Sequence, residues 1–222
     1  MSRVVKLPLS LAVLCVGMAM ASTPLFAQPA SAGTHRYPPL FGTGESISSD
    51  LVPFPKWTGI LERYFDEKKL EDVPCSTSTF NKCQLREWKA FLKTLEGKSL
   101  KAELKAVNDY MNAESYILDP VNWGVPDYWT TPHQFFSRDG DCEDYAIAKF
   151  ISLRALGVPN DRMRIVILQD MNLGVLHAVL AVYDGDTIYI LDNQAQRVVE
   201  ASDIRHYQPI YSINETAWWR HR

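Results

Sequence analysis

One short stretch of the sequence combines a nucleophile with an unusual concentration of negative charge. The stretch SRDGDCEDYAIAKF, residues 137–150, places Cys142 among Asp139, Asp141, Glu143 and Asp144. Neighbouring negative charge favours the neutral thiol, whereas a catalytic cysteine needs a lowered pKa. The role of these carboxylates therefore needs a separate explanation, because by themselves they make the thiol less reactive.

A histidine and an aspartate occupy two neighbouring predicted strands, LHAVLAVY and TIYILD, which are joined by the turn signal DGD. If Asp184–Gly185 forms a two-residue loop, His177 lies directly opposite Asp192. If the loop is Gly185–Asp186, His177 and Asp192 become diagonal neighbours on one face. A three-residue loop would put them on opposite faces of the sheet.

These three residue types together suit thiol catalysis. A carboxylate orients an imidazole, which needs a nucleophile within hydrogen-bond reach. Cys142 follows DGD and precedes a helical pattern that ends at Gly157 and Pro159, so it is predicted at a helix N-terminus, where the helix dipole lowers a thiol pKa. Each residue alone also fits an ordinary structural role, but their combination favours a Cys–His–Asp triad.

The elements that must position these residues are readable from periodicity and turn chemistry. The chain has 222 residues and 46% hydrophobic content, enough for one domain with a sizeable core. Residues 33–56 look irregular, and residues 117–141 form a long aromatic loop, a kind of loop that is usually functional. Predicted helices cover residues 57–70, 84–95, 99–116 and 142–156, and predicted strands cover 163–169, 176–183, 187–192 and 209–213. The expected fold class is α+β, with helices first and then a mainly antiparallel sheet.

The N-terminus predicts export. Arg3 and Lys6 precede a short apolar run and small-residue cleavage sites, which is typical of a cleavable signal peptide over residues 1–32, leaving a single domain over residues 33–222. We therefore expect a periplasmic protein. In an oxidising compartment Cys75 and Cys83 form a candidate disulfide, with free thiols or half a metal site as alternatives. The net charge of −3 indicates no nucleic-acid footprint.

The segments WTTPHQFFSRDGDCEDYAIAKFISLRALGVP and LHAVLAVYDGDTIYILDNQ resemble the bacterial transglutaminase-like cysteine proteases, which include the LapG-type periplasmic adhesin proteases. The resemblance extends over nearly all of the chain after residue 32. It implies a papain/transglutaminase-like core. Carried over by position, it implies Cys142 as nucleophile, His177 as general base and acid, and Asp192 as the orienting carboxylate.

The same resemblance implies a substrate, a regulator and a metal. LapG-type proteases cut a large surface adhesin near its N-terminus, at a di-alanine site, in biofilm control. An inner-membrane cyclic-di-GMP receptor sequesters them, and they depend on calcium. Here the calcium ligands would come from Asp139, Asp141, Glu143 and Asp144. The spacing is not that of an EF-hand, and helix capping by these acids is the alternative.

Two other readings of the triad stay open at the level of sequence. The same residues could support acyl transfer of the transglutaminase or amidase type, or they could be structural in an exported binding module. Gln134 is expected on the surface, so the backbone N–H of Cys142 is the expected oxyanion donor.

Overall fold

The computed structural model describes residues 37–68 and 82–222, without the side chains of residues 82 and 83. The predicted signal peptide over residues 1–32 lies outside the described residues. Of the predicted Cys75–Cys83 disulfide, Cys75 and the side chain of Cys83 lie outside the described part of the chain, so both expectations stay predictions. Within the described part of the chain, no helix is long and apolar enough to cross a membrane.

Three helices precede the long loop, as their spacing predicts: α1 (Pro55–Lys68), α2 (Lys82–Lys93) and α3 (Leu100–Met111). The third helix is shorter than predicted, because it ends at Met111 and not near Tyr116. Asn112 follows as its C-terminal cap, and the side-chain amide of Asn112 donates to the main-chain oxygen of Asp192 at 2.8 Å. The end of α3 is thereby connected to the last residue of the predicted strand 187–192.

The long loop contains two short helices, α4 (Asp119–Asn122) and α5 (Pro132–Arg138). A capping box starts α5: the amide of Gln134 donates to Oγ1 of Thr131 at 3.2 Å, and the amide of Thr131 donates to Oε1 of Gln134 at 3.1 Å. The expectation that Gln134 lies on the surface is therefore wrong. Gln134 is buried, and its Nε2 donates to the hydroxyl of Tyr128 at 3.0 Å.

Helix α6 (Cys142–Ala155) is the centre of the helical layer. It is buried on nearly every side, because the sheet covers one face while α3 and α5 pack against others. Ala146, Phe150 and Leu153, which recur along α6 at helical spacing, are buried. The indole N–H of Trp88 on α2 donates to Oγ of Ser152 at 2.9 Å, so a polar position of α6 is also satisfied inside the core.

The described residues form a sheet of seven strands: β1 (Glu45–Ser48), β2 (Met163–Asp170), β3 (Val175–Asp184), β4 (Thr187–Leu191), β5 (Val199–Glu200), β6 (Tyr207–Ile213) and β7 (Trp218–His221). All neighbouring strands are paired antiparallel, in the order β1-β7-β6-β2-β3-β4-β5. The four predicted strands are present, and β1 lies in a region predicted to be irregular.

Both faces of the central strands are covered, which explains why β2 and β3 are almost continuously apolar. Leu180 and Val182 pack on the face that carries α6, and Val179 and Ala181 pack on the other face, in a smaller cluster that includes Leu40. Helices on one side of an antiparallel sheet define an α+β fold. The predicted fold class, with a papain-like core and a cysteine at the start of a helix packed on the sheet, is confirmed.

Candidate active site

Cys142 is the first residue of α6, and local hydrogen bonds fix the helix start there. Asp144 accepts the amide of Asp141 on Oδ2 at 3.3 Å and the amide of Thr130 on Oδ1 at 2.7 Å. Gly140 is required at this point, because a Cβ on it would lie 2.3 Å from Oδ2 of Asp144. The first N–H groups of an α-helix have no main-chain acceptor within the helix, and the N–H of Cys142 is the first of them in α6.

His177 and Asp192 are brought together by the β3–β4 hairpin. Asp184 pairs with Thr187, so the two-residue loop is Gly185–Asp186, the second of the two registers that keep His177 and Asp192 on one face. Nε2 of His177 lies 2.9 Å from Oδ1 of Asp192, and both side chains are buried. Asp192 is one residue beyond β4, diagonal to His177.

The carboxylate of Asp192 is ionised in this setting. Burial alone would raise its pKa, but the hydrogen bond and charge of His177, and then the hydrogen bond of Tyr207, hold the pKa of Asp192 below its ordinary value. A carboxylate can only accept hydrogen bonds, so Nε2 of His177 carries the proton between them. Nδ1 is then the ring nitrogen of His177 that remains for another partner.

Cys142 and His177 line the same cavity, which has a volume of about 370 Å³. Most of its wall is apolar. Besides Cys142 and His177 it is formed by Asp127, Trp129, Glu143, Ile167, Leu176, Ala178, Ile210 and Tyr211. A cavity with an apolar wall and a few convergent polar groups is the typical form of a substrate site.

The thiol of Cys142 is held in its neutral form. Burial, followed by the charges of Glu143 and Asp141, raises the pKa of the Cys142 thiol, and the nearby backbone N–H of Ala178 offsets only part of this. Sγ of Cys142 donates to Oε2 of Glu143 at 3.4 Å. Burial, and then Asp141, raise the pKa of Glu143 to about 10.

The four acids singled out in the sequence separate into two groups. Asp141 and Glu143 join Asp119 in a buried cluster whose ligand atoms lie within 4.8 Å of one another. Asp144 is occupied by two backbone amides, and Oδ1 of Asp139 accepts the amide of Ser115 at 3.0 Å. The structure therefore brings two of the four expected calcium ligands together and adds one from α4.

The cluster of Asp119, Asp141 and Glu143 fits a hard cation. Oδ1 of Asp119 and Oδ1 of Asp141 are buried and accept no hydrogen bond from the described residues. Buried carboxylate oxygens without donors are costly unless a cation or a proton compensates them. Calcium prefers oxygen ligands of this type.

Sequence reasoning missed two residues of the site. Asp119 lies 22 positions before Asp141, and no spacing rule connects a loop aspartate to a helix cap at that distance. Tyr207 donates its hydroxyl to Oδ2 of Asp192 at 2.5 Å from a strand two positions away from β3 in the sheet. Neither contact has a local signal, because both depend on how separate elements pack.

The thiol of Cys142, at the start of a helix, and the imidazole of His177 line one cavity in a papain-like α+β core. This is the architecture of a cysteine peptidase. The family model described as bacterial transglutaminase-like cysteine proteinase BTLCP matches residues 74–221, two thirds of the sequence. The chain belongs to this family, and it is a cysteine peptidase.

Solved structures agree with that membership. LapG of Legionella pneumophila is 31% identical, with a TM-score of 0.62, over 69% of this chain and 86% of LapG. Its EGTA-treated form has the same identity and a TM-score of 0.63, over 70% and 85%. Its calcium-bound form is also 31% identical, with a TM-score of 0.61, over 71% and 87%. A search of curated protein sequences finds no significant match.

Proposed function

We propose that this protein is an exported cysteine endopeptidase in which Cys142 is the nucleophile, His177 the general base and acid, and Asp192 the orienting carboxylate. One observation carries the proposal: His177 is held by Asp192 at 2.9 Å on the wall of the cavity that also contains Cys142. A nucleophile, a base and a group that orients the base are the required parts of covalent acyl-transfer catalysis.

The route of the thiol proton depends on which ring nitrogen of His177 does not face Asp192. Nε2 of His177 faces Asp192, so Nδ1 takes the thiol proton of Cys142 when the thiol rotates away from Glu143. The thiolate attacks a peptide carbonyl, and Nδ1–H then protonates the leaving amine. The backbone N–H of Cys142, at the first position of α6, is available to the carbonyl oxygen. Water hydrolyses the thioester and restores the thiol.

We propose calcium as the cation of the acidic cluster, held by Asp119, Asp141 and Glu143. A bound Ca²⁺ supplies positive charge beside the nucleophile, which offsets the carboxylates around it. The calcium-bound form of the similar LapG supports this choice of ion. Asp144 then acts as a helix cap and not as a ligand, because backbone amides already occupy its oxygens.

The proposed compartment is based on the N-terminal sequence pattern, and the proposed substrate is based on the family. The predicted signal peptide over residues 1–32 supports a periplasmic location. We propose an exported protein, such as a large surface adhesin cut in biofilm control, as the substrate. Sequestration by an inner-membrane cyclic-di-GMP receptor belongs to the same proposal. The resemblance of residues 129–159 and 176–194 to the LapG-type proteases is the basis for proposing these two partners.

Peptide cleavage with product-mass analysis tests the function. Peptides containing a central Ala–Ala pair are incubated with the protein and calcium, with and without an added primary amine. Endopeptidase activity yields products that have gained water, whereas acyl transfer yields an amide of the added amine. Full activity in Cys142→Ala would overturn the proposal.

The variant Asp192→Asn keeps the base, His177, but removes the ionised carboxylate that orients it. We expect kcat to fall on the order of 10²-fold or more, because the imidazole loses its ionised partner. Asp186→Asn is the matched control, since Asp186 is an exposed aspartate in the turn of the same hairpin. It should leave kcat unchanged.

A further inference from the structure

Asp192 lies one residue beyond the end of β4, whereas His177 lies within β3. β4 ends at Leu191, and the last β3–β4 pair joins Leu180 to Leu191, so no ladder hydrogen bond beyond that pair fixes the residue. Its main-chain oxygen accepts the side-chain amide of Asn112 at 2.8 Å. This contact holds the backbone of Asp192 but leaves rotation of its carboxylate to other partners.

Two side chains and one backbone amide fix the rotation of the Asp192 carboxylate. Oδ1 accepts Nε2 of His177 at 2.9 Å and the amide of Gln194 at 2.8 Å, and Oδ2 accepts the hydroxyl of Tyr207 at 2.5 Å. A carboxylate that accepts hydrogen bonds on both oxygens from separate elements has one favourable rotation. Tyr207 is the only one of these three donors that binds Oδ2.

The ring of Tyr207 is itself held in place. Tyr207 begins β6, and its ring packs edge-on against Phe41 with centroids 6.1 Å apart and against His206 at 4.5 Å. The His177 ring lies 6.0 Å from it. A phenol that contacts three neighbouring rings loses little further freedom when it donates a hydrogen bond.

We propose that Tyr207 is a positioning residue of the active site, which holds the Asp192 carboxylate in the rotation that receives Nε2 of His177. The proposal rests on the proposed role of His177 and Asp192, and it adds a fourth residue to their set. Tyr207 is not a catalytic residue in this account, because it acts on substrate only through Asp192 and His177.

Other charged groups face this pair from the surrounding elements. The fully buried Lys149 of α6 acts on Asp192 through its charge, and its Nζ has no hydrogen-bond partner among the described residues. Asp170 of β2 acts on Tyr207, and the ring of His206 lies against it on β6. Removal of the Tyr207 hydroxyl leaves all of these groups in place, so its effect reports on the lost hydrogen bond.

Tyr207→Phe is expected to lower kcat and leave KM nearly unchanged. Without the hydroxyl, Oδ2 of Asp192 has no donor among the residues that the structure describes, and the carboxylate can turn away from His177. Hydrogen bonds to charged groups are strong enough to predict a fall in kcat of about tenfold or more. Tyr207 does not line the cavity that contains Cys142, so substrate affinity should change less than about twofold.

The matched control is Tyr183→Phe. Tyr183 is a buried tyrosine of β3 whose hydroxyl has no hydrogen-bond partner among the described residues, so its removal should leave kcat within about twofold. The proposal is overturned if Tyr207→Phe retains kcat. It is also overturned if Tyr183→Phe lowers kcat by as much, because loss of any buried hydroxyl would then explain the effect.

A spectroscopic measurement tests the proposal without catalysis. In a Cys142→Ala background, the proton between His177 and Asp192 is followed as a low-field proton NMR signal, assigned by its disappearance in His177→Gln. Adding Tyr207→Phe should shift or broaden this signal, whereas adding Tyr183→Phe should not. An unchanged signal in Tyr207→Phe overturns the proposal. If the unmodified protein cleaves no peptide, the proposed function fails. The NMR signal does not depend on cleavage, so it still tests the role of Tyr207.

Discussion

Sγ of Cys142 lies 3.4 Å from Oε2 of Glu143 and donates its hydrogen bond to that carboxylate. Glu143 also belongs, with Asp119 and Asp141, to the buried acidic cluster. The candidate nucleophile and the candidate cation site therefore share a side chain. A cation that draws on Glu143 competes with the thiol for the same oxygens, so the two sites are expected to influence each other.

We expect calcium to make Cys142 reactive at lower pH. Burial and the charges of Glu143 and Asp141 raise the pKa of the thiol, and a bound cation offsets those charges. The measurement is the rate of alkylation by iodoacetamide across pH, in calcium or in EGTA, with peptide mapping to isolate Cys142 from the other cysteines. A free cysteine, with a pKa of about 8.5, is the reference.

Coincident alkylation curves with and without calcium would contradict the coupling between the cation and the thiol, and would return the acids to a capping role. A thiol that does not react in either condition would favour the non-catalytic binding module over the peptidase mechanism.

Asp119→Asn and Asp139→Asn should respond differently to calcium. Asp119 belongs to the buried cluster, whereas Asp139 accepts the amide of Ser115 and lies outside it. A ligand at 100 times its Kd stabilises a folded protein by about 2.7 kcal/mol. We expect calcium to raise the Tm of the unmodified protein and of Asp139→Asn, and to have little effect on Asp119→Asn.

Thermal unfolding of each protein in calcium and in EGTA measures the increase in Tm that calcium causes. Taking this difference within each variant removes any loss of stability that the substitution causes without calcium. An equal increment for Asp119→Asn and the unmodified protein would exclude Asp119 as a ligand.

A buried ion pair should make β1 important for stability. Nη1 of Arg164 on β2 lies 3.0 Å from Oε1 of Glu45, both side chains are buried, and the guanidinium lies over Trp219 at 3.8 Å from the ring centroid. Breaking a buried pair leaves an uncompensated charge, so Glu45→Leu should lower the free energy of unfolding by about 3–5 kcal/mol.

Urea unfolding measures this change. Adding Arg164→Met to Glu45→Leu should recover most of the loss, because the remaining buried charge is then also removed. No recovery in the double variant would show that packing, and not charge, explains the effect of Glu45→Leu.

His221 should make the protein less stable in mild acid. Burial, against the opposing charge of Glu45, lowers the pKa of His221 to about 4 from 6.5. The unfolded chain therefore binds this proton at a higher pH than the folded protein does. The stability that neutral His221 contributes above about pH 6.5 is lost as pH falls toward about 4.

Comparison with His221→Gln isolates this contribution. Glu143 and Asp144, whose pKa values burial raises to about 10 and about 8, change stability in the opposite sense, but they are present in both proteins. The difference in the free energy of unfolding between the two proteins should diminish between about pH 6.5 and 4. A constant difference across this range would contradict the neutral, buried state of His221.

Much of this protein follows from local sequence. Periodicity and turn chemistry are enough to predict α6 beginning at Cys142 and the strands of the central sheet. They also predict a β3–β4 hairpin that keeps His177 and Asp192 on one face if its loop has two residues. These features depend on residues within a few positions of one another, where backbone geometry leaves few alternatives.

The tertiary structure decided the rest. It selected the Gly185–Asp186 register, ended α3 at Met111, and brought Asp119 to Asp141 and Tyr207 to Asp192. It also turned Gln134 inward, to cap α5. Such contacts join separate elements. The hydrophobic periodicity of one element does not predict which loop side chain will contact the end of which strand. The packing of α4 against the start of α6, and of Tyr207 of β6 against the residue that follows β4, determines these contacts. Buried polar groups require hydrogen-bond partners, and here the partners come from distant parts of the chain.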